Sequence, residues 1–200
     1  MKNVPKILIT SILIGSIFSL SGCFSFGEED SSGGDQPQVD EQSRLYETDV
    51  YSITIPKDWE VIDQKDFTSD VPEVTMIVFR NNVKNENFTA NVNIVKNELQ
   101  DPVATLEYAK LVNNRQKSGL VDYSESAKDL RNINIGGSDH ETFFTSFEAR
   151  VAANEKLIRY MQTYGVKDRN AYIVTGSFSP QESESTSQKV ENIVKSFRLK

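Results

Sequence analysis

Apolar and polar residues alternate over several short stretches of the chain, which is the pattern of half-buried β-strands. Such runs occupy residues 51–56, 59–62 and 88–94, with a proline turn between the first two. Residues 73–80 are apolar on both faces over several positions, which predicts a strand covered on both sides. The polar segment 81–87 then predicts a turn, so that the last two strands form a hairpin.

The second half of the chain repeats this pattern and predicts four successive antiparallel strands. Short segments rich in glycine, asparagine and aspartate separate them and supply the turns. The predicted strands are 124–135, 140–150, 156–166 and 171–179, with turns at 136–137, 153–154 and 167–170.

Two amphipathic helices complete the predicted elements. The first opens at Asp101-Pro102, because aspartate can cap free amides and proline suits the first helical position, and it ends at Gly119. The second opens at Ser179, which with Glu182 has the spacing of a capping box. Its apolar face is Val190, Ile193, Val194 and Phe197. This order of elements predicts an α+β domain, a mainly antiparallel sheet whose faces are covered by helices.

The N-terminus carries an apolar run from Ile7 to Leu20 that follows Lys2 and Lys6. A charged start, an apolar stretch and then small residues form the order of a secretory signal. The run is shorter than the roughly 20 residues that a membrane-spanning helix needs. We therefore expect residues 1–22 to be a signal peptide that is removed.

Four residues at the end of this run, Leu20-Ser21-Gly22-Cys23, resemble the lipobox of bacterial lipoproteins. The resemblance implies a diacylglycerol thioether on Cys23, cleavage before it and acylation of the new amino group. The alternative is an ordinary secreted protein in which Cys23 is incidental. Cys23 is the only cysteine, so no internal disulfide can form, and lipidation accounts for it. The predicted location is the extracytoplasmic face of a membrane, either inner or outer.

Residues 23–44 are rich in glycine, serine and acidic residues and have too little apolar surface to fold, which predicts a lipidated flexible tether. Residues 45–200 have the usual size of one domain. The full chain has a net charge of −7, and removing residues 1–22 leaves 20 basic and 29 acidic side chains, or −9. This acidity argues against nucleic acid and against anionic lipid head groups as direct partners.

Candidate chemistry is sparse. His140 is the only histidine and lies between Asp139 and Glu141, but alternation along a strand sends these carboxylates to the opposite face. One histidine without a free cysteine argues against a zinc site, and no catalytic motif accompanies the histidine. We therefore expect no metal, no cofactor and no enzymatic activity. An envelope hydrolase that uses His140 remains the alternative.

Aromatic residues cluster in the late strands, and about half of them alternate into the core. Phe144, Tyr160 and Tyr164 are predicted to lie on the other face of the sheet. A helix can bury them there, or a partner protein can use them as anchors. The pattern is consistent with both interpretations, burial under a helix and binding to a partner protein.

Two stretches, Tyr51-Ser-Ile-Thr-Ile-Pro-Lys-Asp-Trp59 and Ile193-Val-Lys-Ser-Phe-Arg198, resemble the PsbP-like family. That family includes lumenal photosystem II accessory proteins, bacterial lipoproteins and a nuclear-import factor that binds a small GTPase. The resemblance spans about residues 45–200 and implies an α/β/α sandwich with a central antiparallel sheet.

Together these features predict a membrane-anchored, extracytoplasmic lipoprotein that acts as a non-catalytic binding or assembly factor of the cell envelope. Its partners would be the membrane, through the lipid, and an envelope protein. Besides the hydrolase, a carrier of a small apolar ligand held between sheet and helix is the remaining alternative.

Overall fold

The computed structural model describes residues 42–69, 71–86 and 88–200. The predicted signal peptide, the lipobox residues Leu20, Ser21 and Gly22, and Cys23 lie outside this part of the chain. Nearly all of the predicted tether does so as well.

Ten strands, two α-helices and a short 3-10 helix, Gln64–Asp66, make up the described part of the chain. The strands are β1 Ser43–Glu47, β2 Tyr51–Pro56, β3 Glu60–Asp63, β4 Thr75–Arg80, β5 Asn91–Glu98, β6 Val121–Ile135, β7 Ser138–Arg150, β8 Ile158–Lys167, β9 Asn170–Phe178 and β10 Arg198–Leu199. The helices are α1 Thr105–Gly119 and α2 Glu184–Ser196.

All ten strands form one sheet in the order β1-β2-β10-β6-β7-β8-β9-β5-β4-β3. Neighbouring strands are antiparallel except β10 and β6, which are parallel. The predicted antiparallel succession of the late strands and the hairpin of β4 and β5 are therefore present. The sheet is mixed, so the expected α/β/α sandwich with a central, mainly antiparallel sheet describes the fold only roughly.

The two ends of the sheet curl toward each other. Arg44 on β1 donates a hydrogen bond from Nη2 to the carbonyl oxygen of Trp59, which directly precedes β3, at 3.3 Å. The rings of Tyr46 on β1 and Phe79 on β4 meet edge to face with centroids 5.2 Å apart. This curvature makes a concave face that surrounds α2.

Helix α2 packs into the concave face through Val190, Ile193 and Val194, which are buried together with side chains of β2, β4, β5, β6 and β9. Helix α1 covers the opposite face, where Tyr108 and Val112 pack with residues of β8 and β9. Alternation along β8 and β9 assigns the two clusters to opposite faces. The burial of a valine or isoleucine contributes about 1.5–3 kcal/mol, so these contacts hold both helices in place.

Both predicted helix starts are wrong. Helix α1 begins at Thr105 rather than at Asp101-Pro102, and the Oγ1 atom of Thr105 accepts a hydrogen bond from the amide of Val166 at 3.1 Å. This contact with β8 fixes the first turn, and it cannot be seen in a local pattern. The predicted end of α1 at Gly119 is confirmed.

Helix α2 begins at Glu184, and its cap is Ser183 rather than Ser179. The Oγ atom of Ser183 accepts a hydrogen bond from the amide of Thr186 at 3.1 Å. Ser179 instead closes the preceding turn, because its carbonyl oxygen accepts from the amide of Glu182 at 2.9 Å. Phe197 follows the helix and is buried.

Two strand predictions also change, and two strands were not predicted. Strand β4 is buried on one face only, since Met76 and Val78 are half-buried on the other. Strand β5 begins at Asn91 instead of residue 88. The sequence pattern misses β1 and β10; β1 starts at Ser43, so two residues of the predicted tether belong to the sheet.

Candidate protein-binding site

Strand β6 lies inside the strand order but has one largely free side. It pairs with β7 along most of its length, from Val121 to Ile135. On its other side lies the two-residue strand β10, and within the described residues the pairing there is limited to Ile135 with Leu199. Main-chain groups on most of this side of β6 therefore have no neighbouring strand.

Hydrogen-bonded and non-hydrogen-bonded residue pairs alternate between β6 and β7. This alternation identifies which residues of β6 turn their main-chain groups toward the free side. Gly136 and Gly137 have positive φ angles of 59° and 85° and form a two-residue hairpin turn. Ile135 and Ser138 flank the turn and form its closing hydrogen-bonded pair. Counting back from Ile135, every second residue of β6 forms main-chain hydrogen bonds with β7. The residues between them turn their N–H and C=O groups outward, that is, away from β7. The outward residues are Lys128, Leu130, Asn132 and Asn134, and the last of these lies beside β10.

Irregular backbone limits the free segment at its start, and β10 limits it at its end. The β6–β7 register shifts between Val121 and Ser124 and again between Glu125 and Ala127. From Ala127 to Ile135 the register is continuous. We call residues 128–132, which have the sequence Lys-Asp-Leu-Arg-Asn, the β6 edge.

The β6 edge presents both apolar and charged side chains. Leu130 is 58% exposed and lies opposite Phe143 of β7 on the α1 face. The Nζ atom of Lys128 lies 4.4 Å from the ring centroid of Phe143. Asp129 is exposed on the α2 face and forms no ion pair within the described residues.

Two arginines converge beside the β6 edge, at the C-terminus of α2. The Nη2 atom of Arg131 donates to the carbonyl oxygen of Lys195 at 2.8 Å, and Nη1 of Arg198 donates to the same oxygen at 3.0 Å. The Nε atom of Arg131 also donates to the outward carbonyl of Asn132 at 3.3 Å. Cations at this position complement the helix dipole.

Among the residues that the structure describes, neither Arg131 nor Arg198 pairs with a carboxylate. Burial, and secondarily the charge of Arg198, lower the pKa of Arg131. The Nη1 atom of Arg131 is buried and has no hydrogen-bond partner in this part of the chain. This donor reaches an acceptor on another molecule only when the Arg131 side chain moves.

The three aromatic residues singled out in the sequence do not share one face. Phe144 is 4% exposed and lies in the α2-side core, with Nζ of Lys195 4.6 Å from its ring centroid. Tyr160 is 2% exposed and stacks on Phe147 on the opposite face, with centroids 5.1 Å apart. Tight packing against neighbours leaves neither ring available to a partner.

Tyr164 is fully buried beneath α1 and belongs to a polar network. Its hydroxyl lies 2.8 Å from Oδ1 of Asn113 and 2.8 Å from Oε1 of Gln162, either of which can accept its proton. The Nε2 atom of Gln116 donates to the same Gln162 oxygen at 2.8 Å. Burial raises the pKa of Tyr164 above its usual value. Like Phe144 and Tyr160, Tyr164 is a core residue, so the reading of the three as partner anchors is not supported.

His140 is exposed on β7, directly opposite Ile133 of β6. The neighbouring Asp139 accepts a hydrogen bond from Nδ2 of Asn134 at 3.4 Å. Over residues 42–69, 71–86 and 88–200, no three histidine, cysteine or acidic side chains group together as metal ligands would. In the same part of the chain, no helix has the length and apolar character to cross a membrane.

The sequence patterns did not predict the β6 edge, or Arg131 within it, as a candidate site. One signal was available, because residues 128–132 interrupt the apolar alternation of the predicted strand 124–135 with two cations and an acid. An exposed leucine among them is not by itself unusual. The free side of β6 becomes visible only when the strand order is known.

The described residues have a fold in which one curved sheet carries a helix on each face. The chain belongs to the PsbP family, whose model matches residues 41–199. The sequence resemblance stated above is thereby confirmed. A comparison with curated proteins finds no match.

Two solved structures share this fold at low sequence identity. One is the solution structure of CyanoP, the cyanobacterial PsbP of Synechocystis sp. PCC 6803, with 15% identity and a TM-score of 0.51 over 84% of this chain and 98% of that one. The other is LpqN of Mycobacterium tuberculosis, described as involved in cell envelope biogenesis, with 11% identity and a TM-score of 0.52 over 80% of this chain and 87% of that one. At these identities the likeness concerns the fold.

Proposed function

We propose that this protein is a lipid-anchored, extracytoplasmic accessory factor of the cell envelope that acts by binding protein and catalyses no reaction. The observation that carries the proposal is the β6 edge, where unpaired strand groups and an exposed leucine adjoin two arginines without carboxylate partners. An exposed strand edge is a ready template for pairing with another chain.

The N-terminal sequence supports the location. Residues 1–22 have the order of a signal peptide, and Leu20-Ser21-Gly22-Cys23 has the form of a lipobox. Acyl chains on Cys23 anchor the protein stably, since two or more chains hold where one does not. Residues 24–42 then serve as a tether between the anchor and strand β1, and the domain follows as one α/β/α unit.

The relatives support the kind of role. The chain belongs to the PsbP family, and LpqN, which shares the fold, is described as involved in cell envelope biogenesis. We propose that this chain also has a role in the envelope. In addition, we propose that it binds its partner through the β6 edge. A membrane tether raises the effective concentration of the β6 edge near partners on the same surface without any new contact.

The proposal is tested by crosslinking in living cells, followed by purification and mass spectrometry. The lipoprotein is compared with a Cys23→Ala form that is exported through a cleavable secretory signal. A third sample carries Leu130→Pro, because proline removes an outward donor and obstructs strand pairing at the edge. We expect one envelope complex that is captured by the anchored protein and is weakened in both variants.

The matched control for Leu130→Pro is Leu45→Pro. Leu45 is also a leucine on an edge strand, and it is 60% exposed. Capture that is equal in the Leu45 and Leu130 variants would show that the β6 edge is not the binding surface. Capture that is unaffected by Cys23→Ala would contradict the role of the anchor.

A further inference from the structure

We propose that the β6 edge pairs with the β6 edge of a second copy of this chain, antiparallel and with the two-fold axis at Leu130. This inference rests on the proposed function and names the partner of the same surface. The sequence of the edge, Lys128-Asp129-Leu130-Arg131-Asn132, complements itself when it is read in the reverse direction about its central leucine.

The backbone permits this register. Leu130 turns its N–H and C=O groups away from β7, because Asp129 and Arg131 occupy hydrogen-bonded positions of the β6–β7 ladder. In an antiparallel pair centred on Leu130, the two copies of this residue form a hydrogen-bonded pair across the axis. Lys128 of each copy then lies opposite Asn132 of the other, and the outward groups of all these residues are satisfied.

The side chains complement each other in the same register. Asp129 lies directly opposite Arg131 of the second copy, and symmetry repeats this pair on the other side of the axis. Residues that face each other in this way have Cβ atoms about 4.5–5.5 Å apart, within reach of an ion pair. Both residues lie on the α2 face, and neither has an ion-pair partner within the described part of one copy. On the α1 face, the two exposed Leu130 side chains meet and remove apolar surface from water.

Other registers of the same edge are unfavourable. An axis at Asp129 or at Arg131 sets two like charges against each other, and an axis at Lys128 does the same. An axis at Asn132 reaches Ile135, which β10 already occupies. An axis at Leu130 avoids these conflicts within residues 128–132. Pairing has to end there, because Glu125 of the second copy would otherwise lie opposite Ile135, which β10 occupies.

Arg131 has to move for the pair to form. In the single copy, its Nε atom covers the outward carbonyl of Asn132 at 3.3 Å. Pairing replaces this long hydrogen bond with one from the Lys128 amide of the second copy, and it turns the guanidinium toward Asp129. The guanidinium thus protects the edge of the single copy and becomes an ion-pair partner in the dimer.

The outer edges of the sheet are less suited to the same contact. Strand β1 lies close to the opposite end of the sheet, as the hydrogen bond from Arg44 to Trp59 shows. An antiparallel pair centred on Leu45 places Arg44 opposite Tyr46 and forms no ion pair. Leu45 therefore provides a control of similar exposure for tests at Leu130.

The first test is disulfide trapping of the full-length chain in bacterial membranes. In the expected dimer, two cysteines at residue 130 have Cα atoms about 5.5 Å apart, within the range of about 4.4–6.8 Å that a disulfide requires. We expect mild oxidation to convert Leu130→Cys to a covalent dimer, but not Leu45→Cys or the wild-type chain with Cys23 alone. Equal trapping at residues 45 and 130 would overturn the proposal.

The second test is an exchange of charges, measured by sedimentation of the full-length protein in detergent. Asp129→Arg and Arg131→Asp each set like charges opposite one another twice, and we expect at least roughly tenfold weaker association. The double variant with both changes restores the two ion pairs and is expected to restore the dimer. Failure of the double variant to associate, with circular dichroism like that of the wild type, would overturn the proposal.

The charge exchange also separates a structural role of Arg131 from its role in the interface. The double variant still lacks the bond from Arg131 to Lys195, so restored association cannot come from that bond. Asp129 is exposed and has no such bond, so Asp129→Arg tests the interface even where Arg131→Asp weakens the fold.

The two proposals fail in different ways. A dimer that forms while in-cell crosslinking captures no envelope protein contradicts the wider accessory function and keeps the self-association. A monomeric protein that captures an envelope complex through Leu130 contradicts the self-association and keeps the proposed function.

Discussion

Val190 of α2 lies directly against Gly176 of β9, in the space that a side chain at residue 176 would occupy. A Cβ atom at Gly176 would overlap Cγ1 of Val190 and would lie 3.2 Å from Cγ2 of Val194. The absence of a side chain on β9 thus allows α2 to approach the sheet closely.

We expect Gly176→Ala to destabilise the domain by about 1–3 kcal/mol, because the added methyl group overpacks the core. Urea unfolding measures the change. Gly119→Ala is the control, since a Cβ at that residue has no atom within 4 Å and Gly119 ends α1. It should leave stability unchanged or raise it by about 0.5–1 kcal/mol. Equal effects of the two substitutions would contradict the packing argument.

The hydroxyl of Tyr164 supplies the second prediction. Tyr164→Phe removes the donor that lies 2.8 Å from both Asn113 and Gln162 and leaves buried acceptors with fewer partners. We expect a loss of about 1–3 kcal/mol in the free energy of unfolding. Tyr123→Phe should cost less, because the Tyr123 hydroxyl bonds to the exposed Glu125. Urea denaturation of both variants measures the loss in the free energy of unfolding. A smaller loss for Tyr164→Phe than for Tyr123→Phe would show that the polar network around Tyr164 is not stabilising.

The third prediction concerns the N-cap of α2 and tests whether Ser183, rather than Ser179, caps this helix. Ser183→Ala removes the acceptor for the Thr186 amide and should cost about 1 kcal/mol. Ser185→Ala, two residues further on and exposed, should be neutral or slightly stabilising because alanine has the higher helix propensity. Thermal unfolding followed by circular dichroism compares them. A neutral Ser183→Ala would place the cap elsewhere.

Stability should fall in alkaline solution because several tyrosines are buried. Burial raises the pKa of Tyr108 to about 12 from 10.0, although the hydrogen bond from Asn97 opposes the shift. Below pH 10 both the folded and unfolded states keep this proton. Between pH 10 and pH 12 the unfolded state loses it first, so stability falls by about 1.4 kcal/mol per pH unit for such a residue.

Urea unfolding at a series of pH values measures this fall. Burial raises the pKa values of Tyr160 and Tyr164 as well, so the decline should continue above pH 12. Tyr108→Phe is expected to reduce the slope between pH 10 and pH 12. An unchanged slope in this variant would assign the alkaline transition to other groups.

The elements with clear sequence patterns were predictable because their signals are local. Residues 51–56 alternate between a buried and a less buried face, and β2 occupies this range in the structure. The two glycines at 136–137 predict a hairpin turn, and both adopt the positive φ angles that such turns need. In each case, a few adjacent residues carry the whole signal.

Elements that depend on distant partners were not predictable in the same way. Strand β10 has two residues, and it is a strand because it pairs with Ser52 and Tyr51 of β2 and with Ile135 of β6. The start of α1 depends on the bond from Val166 to Thr105. No local pattern contains these contacts.

The candidate site was missed for the same reason. Its residues are ordinary for an exposed strand, and a leucine flanked by charges has no special meaning in a sequence. The β6 edge becomes a site because β10 is too short to cover it and because α2 ends beside Arg131. Both facts come from tertiary structure. Phe144, Tyr160 and Tyr164 had the more conspicuous sequence signal, but they are needed in the core.

The last prediction is that Cys23, in the sequence Leu20-Ser21-Gly22-Cys23, carries a lipid that anchors the protein to the membrane. Cells grown with labelled palmitate should incorporate the label into the wild-type protein, which should sediment with membranes. Cys23→Ala, exported through a cleavable secretory signal, should lose the label and become extractable without detergent, because the acyl chains supply the membrane affinity. Ser25→Ala, two residues beyond the anchor, is the control and should behave like the wild type. If Cys23→Ala stays in the membrane fraction after washing with salt, a protein contact rather than the lipid holds the domain there.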